Sequence, residues 1–306
     1  MPTGENHRAL PALVLLSAIW GYNWVVMKGA MVGLGPLTFG ALRTALGALL
    51  LVACFAATRT PLRLRAPGGV ALLGLVQTTA FVTFSSMAVA TGGVGKAAVL
   101  IYTMPFWTIA LAWLVLRERP RELQWLAIAT GLVGLALVLY PLDMQHQFAS
   151  KLYASAGGFF WAGSMVYAKW LRPRAGLDLP SLTTWQLIFG AIPLVVAAAF
   201  AHEMTPHWTP YVIFALVYNV VLGTALGWLL WLYVVGKLPL GVAGIASLAI
   251  PLIGVATAWL QLGEVPSASE LVGVGFISAA LATLALQGQF DARRARFAAL
   301  QPAIET

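Results

Sequence analysis

Pro105-Phe-Trp-Thr-Ile-Ala-Leu-Ala-Trp-Leu-Val-Leu-Arg-Glu-Arg-Pro120 decides the fold, because it returns 146 positions later as Pro251-Leu-Ile-Gly-Val-Ala-Thr-Ala-Trp-Leu-Gln-Leu-Gly-Glu-Val-Pro266. The two copies agree at eight of sixteen places: Pro105/Pro251, Ala110/Ala256, Ala112/Ala258, Trp113/Trp259, Leu114/Leu260, Leu116/Leu262, Glu118/Glu264 and Pro120/Pro266. A period of this length in a chain that is 60% hydrophobic and 9% charged reads as a duplicated membrane protein. The copies differ in charge. Arg117, Arg119 and Arg121 become Gly263, Val265 and Ser267, which places one copy against the positive side of a membrane and the other against the opposite side.

A helix needs about 20 apolar residues to cross the hydrocarbon core. Ten stretches qualify: 10–30, 36–57, 69–91, 95–116, 122–141, 149–171, 180–201, 209–236, 240–262 and 267–288. The short alternating segments of a membrane β-barrel are missing, so the expected fold is all-α. The apolar run from Leu10 to Met27 ends in no cleavage pattern and reads as a retained first helix rather than a signal peptide.

Sorting the 18 Lys and Arg by loop parity puts fourteen on one side. They are Arg8, Arg59, Arg63, Arg65, Arg117, Arg119, Arg121, Lys169, Arg172, Arg174, Lys237, Arg293, Arg294 and Arg296. Lys28, Lys96 and Lys151 fall on the other side, and Arg43 lies within a span. Both termini are therefore expected on the cytoplasmic side. The net charge of +8 follows from this topology and marks no nucleic-acid surface. Five crossings per half is an odd number, so the second half enters the membrane inverted. The expected division is residues 1–146 for the first repeat, 147–290 for the second and 291–306 for a basic cytoplasmic tail held near anionic lipid.

The two Pro-x-x-x-x-Ala-x-Ala-Trp-Leu-x-Leu-x-Glu-x-Pro segments, the Trp20-Gly21 pair and Arg43 resemble the paired EamA-type repeats of the drug/metabolite transporter superfamily. Within it, the chain looks most similar to YddG-type exporters of aromatic and other amino acids. The resemblance covers essentially the whole chain. It implies a multi-pass protein of the bacterial cytoplasmic (inner) membrane, with helices one to four and six to nine forming a basket around a central cavity. Helices five and ten would stand outside it. The second half departs from the pattern in having Leu187 roughly where the first has Arg43.

Catalysis finds no support. All four histidines and all ten acids fall in loops or at span ends, so no nucleophile with a base, paired aspartates or metal set can be assembled. Single Cys54 excludes an intramolecular disulfide and a cysteine metal site. No cofactor or metal is expected, and an intramembrane enzyme is only a remote alternative. The lack of a carboxylate or histidine at depth also argues for gradient-driven movement without obligatory proton coupling.

Arg43 is the one charge well inside a span, where a guanidinium costs at least about 2.5–3.5 kcal/mol. It reads either as a clamp for a substrate carboxylate or, as favoured, as a structural group bonded to helix-end carbonyls or snorkelling to the interface. Trp20 and Trp24 share a helix face with Lys28, and Trp161 is also deep. Asn23, Gln77, Gln186 and Asn219 come from four different spans and would line one cavity if the basket holds. Thr78, Tyr102, Ser164 and Tyr218 are further embedded polar positions. These twelve residues form the expected substrate site. Pro105 and Pro251 each free a backbone carbonyl and bend their helices, as moving hinges or as fixed shape. The expected function is export of amino acids, aromatic ones included, by alternating access across a lipid bilayer. The alternative cargo is another neutral or cationic metabolite or drug.

Overall fold

The computed structural model describes residues 4–120, 122–140, 148–237 and 249–300. The expected boundary at 146/147, Arg121, the start of the ninth span and residues 301–306 of the tail lie outside the described residues. Among the described residues, ten helical rods correspond one to one with the ten expected spans. They are α1 (Gly4–Ala30), α2 (Pro36–Ala57), α3 (Pro67–Leu73, Gly74–Ala80 and Phe81–Thr91), α4 (Val94–Ile101 and Met104–Leu116) and α5 (Glu122–Leu139). The second half contains α6 (Phe148–Ala175), α7 (Leu179–Phe200), α8 (Pro210–Tyr218, Asn219–Leu226 and Gly227–Lys237), α9 (Ala249–Leu262) and α10 (Ala268–Leu300).

Three departures from the expected spans have physical causes. The middle segments of α3 and α8, Gly74–Ala80 and Asn219–Leu226, are π-helical, at nearly equivalent positions of the two halves. Helix α4 is interrupted at Tyr102 and Thr103, so Pro105 lies in the first turn of a new segment, where its missing N–H is harmless. Helix α10 runs to Leu300, through the stretch read as a tail from 291. Its Ala- and Arg-rich sequence has high helix propensity and meets no proline before Pro302.

Packing follows a pseudo-twofold exchange of the halves. Helix α1 touches α8 and α9 as α6 touches α3 and α4, and α2 meets α8 as α7 meets α3. The pairs α2/α7, α4/α9 and α5/α10 map onto themselves. Helices one to four and six to nine thus form a ring, with α5 and α10 paired beside it. Hydrocarbon supplies no hydrophobic drive between helices, so close approach matters. A Cβ on Gly74 would lie 2.7 Å from the Gln186 carbonyl, and one on Gly190 would collide with Thr78, which explains glycine where α3 crosses α7. Large apolar side chains point outward instead. Leu114 and its repeat mate Leu260 are 73% and 82% exposed, as lipid-facing positions require.

The repeated sixteen residues end in the same backbone device. Arg117 and Gly263 both adopt left-handed conformations, φ 57° and 67°. Behind them, the amides of Glu118 and Glu264 donate to Ala112 O and Ala258 O, both at 3.3 Å, closing the last turn as a Schellman motif. Each copy therefore presents its glutamate from a fixed helix end.

Candidate functional site: a central cavity open at the arginine-rich face

What those two glutamates reach differs, and the difference defines the state of the molecule. Glu264 accepts from Val94 N at 3.0 Å and Gly95 N at 3.1 Å, capping the start of α4. Beside it Lys96 pairs with Glu270 at 2.7 Å. Lys28, at the end of α1, donates to Val89 O at 2.8 Å and Gly92 O at 3.0 Å, where α3 ends. It therefore closes a helix end and does not share the cavity wall of Trp20 and Trp24. Glu203 accepts from the amides of Leu37 and Thr38, both at 2.9 Å, and from the Thr38 hydroxyl at 2.8 Å, capping α2. Beneath these clasps Met27, Ala30, Leu34, Phe39, Ala97, Ala98 and Ile101 pack with almost no exposure. This face is shut by charged caps set on a dry layer.

At the arginine-rich face Glu118 instead meets Lys169 at 2.7 Å, with their side chains 49% and 61% exposed. A vestibule of about 790 Å³ opens there, lined by Arg119, Lys169, Arg172, Thr183, Gln186 and Trp231 among others. It leads past Gln77 and Trp228, which line both spaces, into a deeper pocket of about 110 Å³. A separate crevice of about 600 Å³ at the closed face shares no lining residue with the deep pocket.

The deep pocket gathers Trp20, Asn23, Trp24, Arg43, Gln77, Thr78, Tyr102 and Trp161 from the expected site, with Met27, Thr44, Phe81, Val82, Ser85, Leu187, Gly223, Thr224 and Trp228. Gln186 lines the vestibule, with its Oε1 buried and unpartnered. Three expected residues do not line either space. The Ser164 hydroxyl bonds Trp161 O in its own helix at 2.6 Å, and the Tyr218 hydroxyl is spent on Ile19 O at 2.8 Å. Asn219 is fully buried behind the wall, its amide nitrogen donating to Ala215 O at 3.0 Å. Pro105 and Pro251 are likewise absent from the lining. Trp228 and Phe81 were indistinguishable in sequence from lipid-facing aromatics, because only helix rotation selects between cavity and lipid.

Aromatic rings build the walls. Trp20 packs against Trp228 and Trp231, each at 6.1 Å, and Trp161 against Phe81 at 4.9 Å and Tyr102 at 5.6 Å. Trp20 Nε1 donates to Gly223 O at 3.0 Å, tying α1 to the π-helical segment of α8. The two π-helical segments supply Gln77, Thr78, Gly223 and Thr224 to the pocket, consistent with the use of such wide turns at binding sites.

The hydrogen bonds expected of a structural Arg43 are not found. Arg43 makes neither the expected bond to helix-end carbonyls nor an ion pair with any described residue. Its Nε is buried without a hydrogen-bond partner, and the guanidinium sits over the Phe39 ring at 6.0 Å, a cation–π contact at the outer limit of range. It lines the pocket rather than an interface. Its guanidinium therefore keeps hydrogen-bond donors that no described residue uses. Among the pocket's lining residues there is no Asp, Glu or His. Among the described residues no group of three or more His, Cys, Asp or Glu is placed to hold a metal.

A ring of membrane helices around a cavity closed at one face and open at the other is the architecture of a membrane transporter. The chain belongs to the EamA-like transporter family, which it matches over residues 8–140 and again over 149–286, one match per half. It is 28% identical to a protein of Salmonella typhimurium named "Probable amino-acid metabolite efflux pump", over 88% of this chain and 91% of that one. The Escherichia coli protein of the same name is also 28% identical, over 88% and 90%. An uncharacterized transporter of Bacillus subtilis, YoaV, is 25% identical over 87% and 92%. A crystal structure covering 94% of this chain and 99% of its own aligns with TM-score 0.63 at 17% identity, which shows a shared fold.

Proposed function

We propose that this chain exports amino acids, aromatic ones included, from the cytoplasm by alternating access, driven by the substrate's own gradient. The observation that carries the reading is Arg43, a buried cation without a hydrogen-bond or ion-pair partner among the described residues, in a pocket walled by Trp20, Trp24, Phe81, Tyr102, Trp161 and Trp228. A carboxylate satisfies the guanidinium, the rings accept a large apolar side chain, and Gln77 and Thr78 remain for orientation. The names of the Salmonella and Escherichia relatives point the same way. A cationic cargo would face repulsion from Arg43, which disfavours the alternative of a cationic drug.

In this reading the arginine-rich face is cytoplasmic, both termini lie there, and the structure is the inward-open state of an inner-membrane protein. Residues 1–146 and 147–290 act as the two rocking halves, with bends at Pro105 and Pro251. Substrate enters past Gln77 and Trp228, the caps around Lys28, Glu203 and Glu264 release, and the opposite face opens. No carboxylate lines the deep pocket to alternate between protonation states there, so a proton gradient is not required. Counterflow of labelled phenylalanine in proteoliposomes, with sugars and nucleosides as competitors, tests the assignment. Saturable exchange blocked by several amino acids supports it. Exchange blocked by sugars alone, or phenylalanine exchange that stops when the proton gradient is collapsed, contradicts it.

A further inference from the structure

Beside Gly223 two buried acceptors are left without donors. A methyl-sized point on the Gly223 backbone lies 3.4 Å from Asn23 Oδ1 and 3.6 Å from Asn219 Oδ1, and neither oxygen has a hydrogen-bond partner. Asn219 is oriented by its bond to Ala215 O, which spends its amide nitrogen and leaves the oxygen free. Gly223 is held from the other side, since its carbonyl accepts from Trp20 Nε1, one turn before Asn23 on α1. Unmet buried acceptors are rare because they are costly, and each calls for an explanation.

Arg43 lies close by. A Cβ on Gly47, one turn further along α2, would lie 2.5 Å from the Thr224 methyl, so α2 crosses α8 next to Gly223. Asn23, Arg43, Gly223 and Thr224 line the same pocket. The pocket thus holds a donor cation without an acceptor and, in Asn23, an acceptor without a donor, with the free Asn219 oxygen behind it beside Gly223. A ligand that satisfies both carries an anionic group and, a short distance away, a donor-rich cation. We propose that Asn23 Oδ1 on the pocket wall, backed by Asn219 Oδ1 behind Gly223, forms the subsite for the α-ammonium group of the substrate, with Arg43 in the same pocket as receptor for its carboxylate. An ammonium donates to the Asn23 oxygen in a charge-assisted bond, about twice as strong as one from a neutral hydroxyl. This assignment rests on amino acids being the cargo and adds which residues select for the free amine.

Binding of phenylalanine and of 3-phenylpropionate, which lacks only the amine, to protein in lipid nanodiscs tests it by calorimetry. The wild-type protein is expected to favour phenylalanine by about tenfold or more, as sites built around a ligand's donor reject the analogue lacking it. Gly223→Ala places a methyl at ordinary contact distance from both oxygens without a clash, so folding is preserved. In that variant phenylalanine is expected to weaken by about tenfold while 3-phenylpropionate is unchanged, collapsing the preference. Asn23→Leu is expected to do the same, guarding against a local effect of the methyl. Equal losses for both probes, or a preference unaltered in both variants, overturn the subsite while leaving amino-acid transport standing. Failure of the wild-type protein to bind phenylalanine overturns both.

Discussion

Glu264→Gln is the sharpest test of how the closed face is held. The carboxylate receives two backbone amides at 3.0 and 3.1 Å at the N-terminus of α4. A hydrogen bond to a charged group contributes about 1.5–3 kcal/mol, and a negative charge at a helix N-terminus adds about 0.3–1 kcal/mol. Glutamine keeps the shape and one acceptor but turns an amide N–H₂ toward the second donor. The loss is therefore about one charged bond plus the dipole contribution, reduced to about 1–2 kcal/mol because the site is partly exposed. That shifts the ratio of the two open states by a factor of about 5–30 toward the face now closed. Ala97 lies in the dry layer beneath the cap with no exposure, so Ala97→Cys in a Cys54→Ala background reports opening there. Its labelling by a membrane-impermeant maleimide is expected to accelerate by that factor in the Glu264→Gln variant. An unchanged rate in a variant that melts like its parent would refute the idea that these caps hold the gate.

The repeat mate behaves differently. Glu118→Gln and Lys169→Met break a solvent-exposed pair contributing about 0–1 kcal/mol, so melting temperature is expected to fall by no more than about 2 °C in either variant. Arg117→Gly relieves a left-handed residue at a cost of about 1 kcal/mol and is expected to raise the melting temperature by about 1–3 °C, read by nanoscale fluorimetry. A lower melting temperature would contradict that account of the helix end. Arg43→Gln is expected to weaken binding of phenylalanine and 3-phenylpropionate together by about 10–100-fold, the equivalent of one lost charged bond, while leaving expression intact. Loss for phenylalanine alone would place the carboxylate elsewhere.

Much of the fold was written in periodicity and loop charge. The sixteen-residue repeat, odd span count and uneven arginines already require two inverted halves, and each expected span has its helix. What composition conceals is rotation about each helix axis and the local winding. Trp228 and Trp231 sit three residues apart on the same helix with the same chemistry, yet only Trp228 reaches the deep pocket. The π-helical segments that aim Gln77, Gly223 and Thr224 leave no mark in a pattern read at 3.6 residues per turn. Arg43 is instructive in the other direction. Its cost inside a span was legible, but whether a carbonyl repays that cost depends on neighbours that only tertiary structure brings near. The change from Arg117 to Gly263 reads in sequence as a topology signal alone. The structure adds that both positions are left-handed helix ends, which glycine adopts without strain.

The central claim is that one cavity, now reached from the arginine-rich face, alternates between faces when an amino acid binds. Spin-label distances measured across both faces of the protein in nanodiscs, with and without phenylalanine, test it most directly. Phenylalanine is expected to populate a second state in which the distance across the arginine-rich face shortens while that across the opposite face lengthens. A single set of distances, indifferent to phenylalanine and to Glu264→Gln alike, would contradict the account.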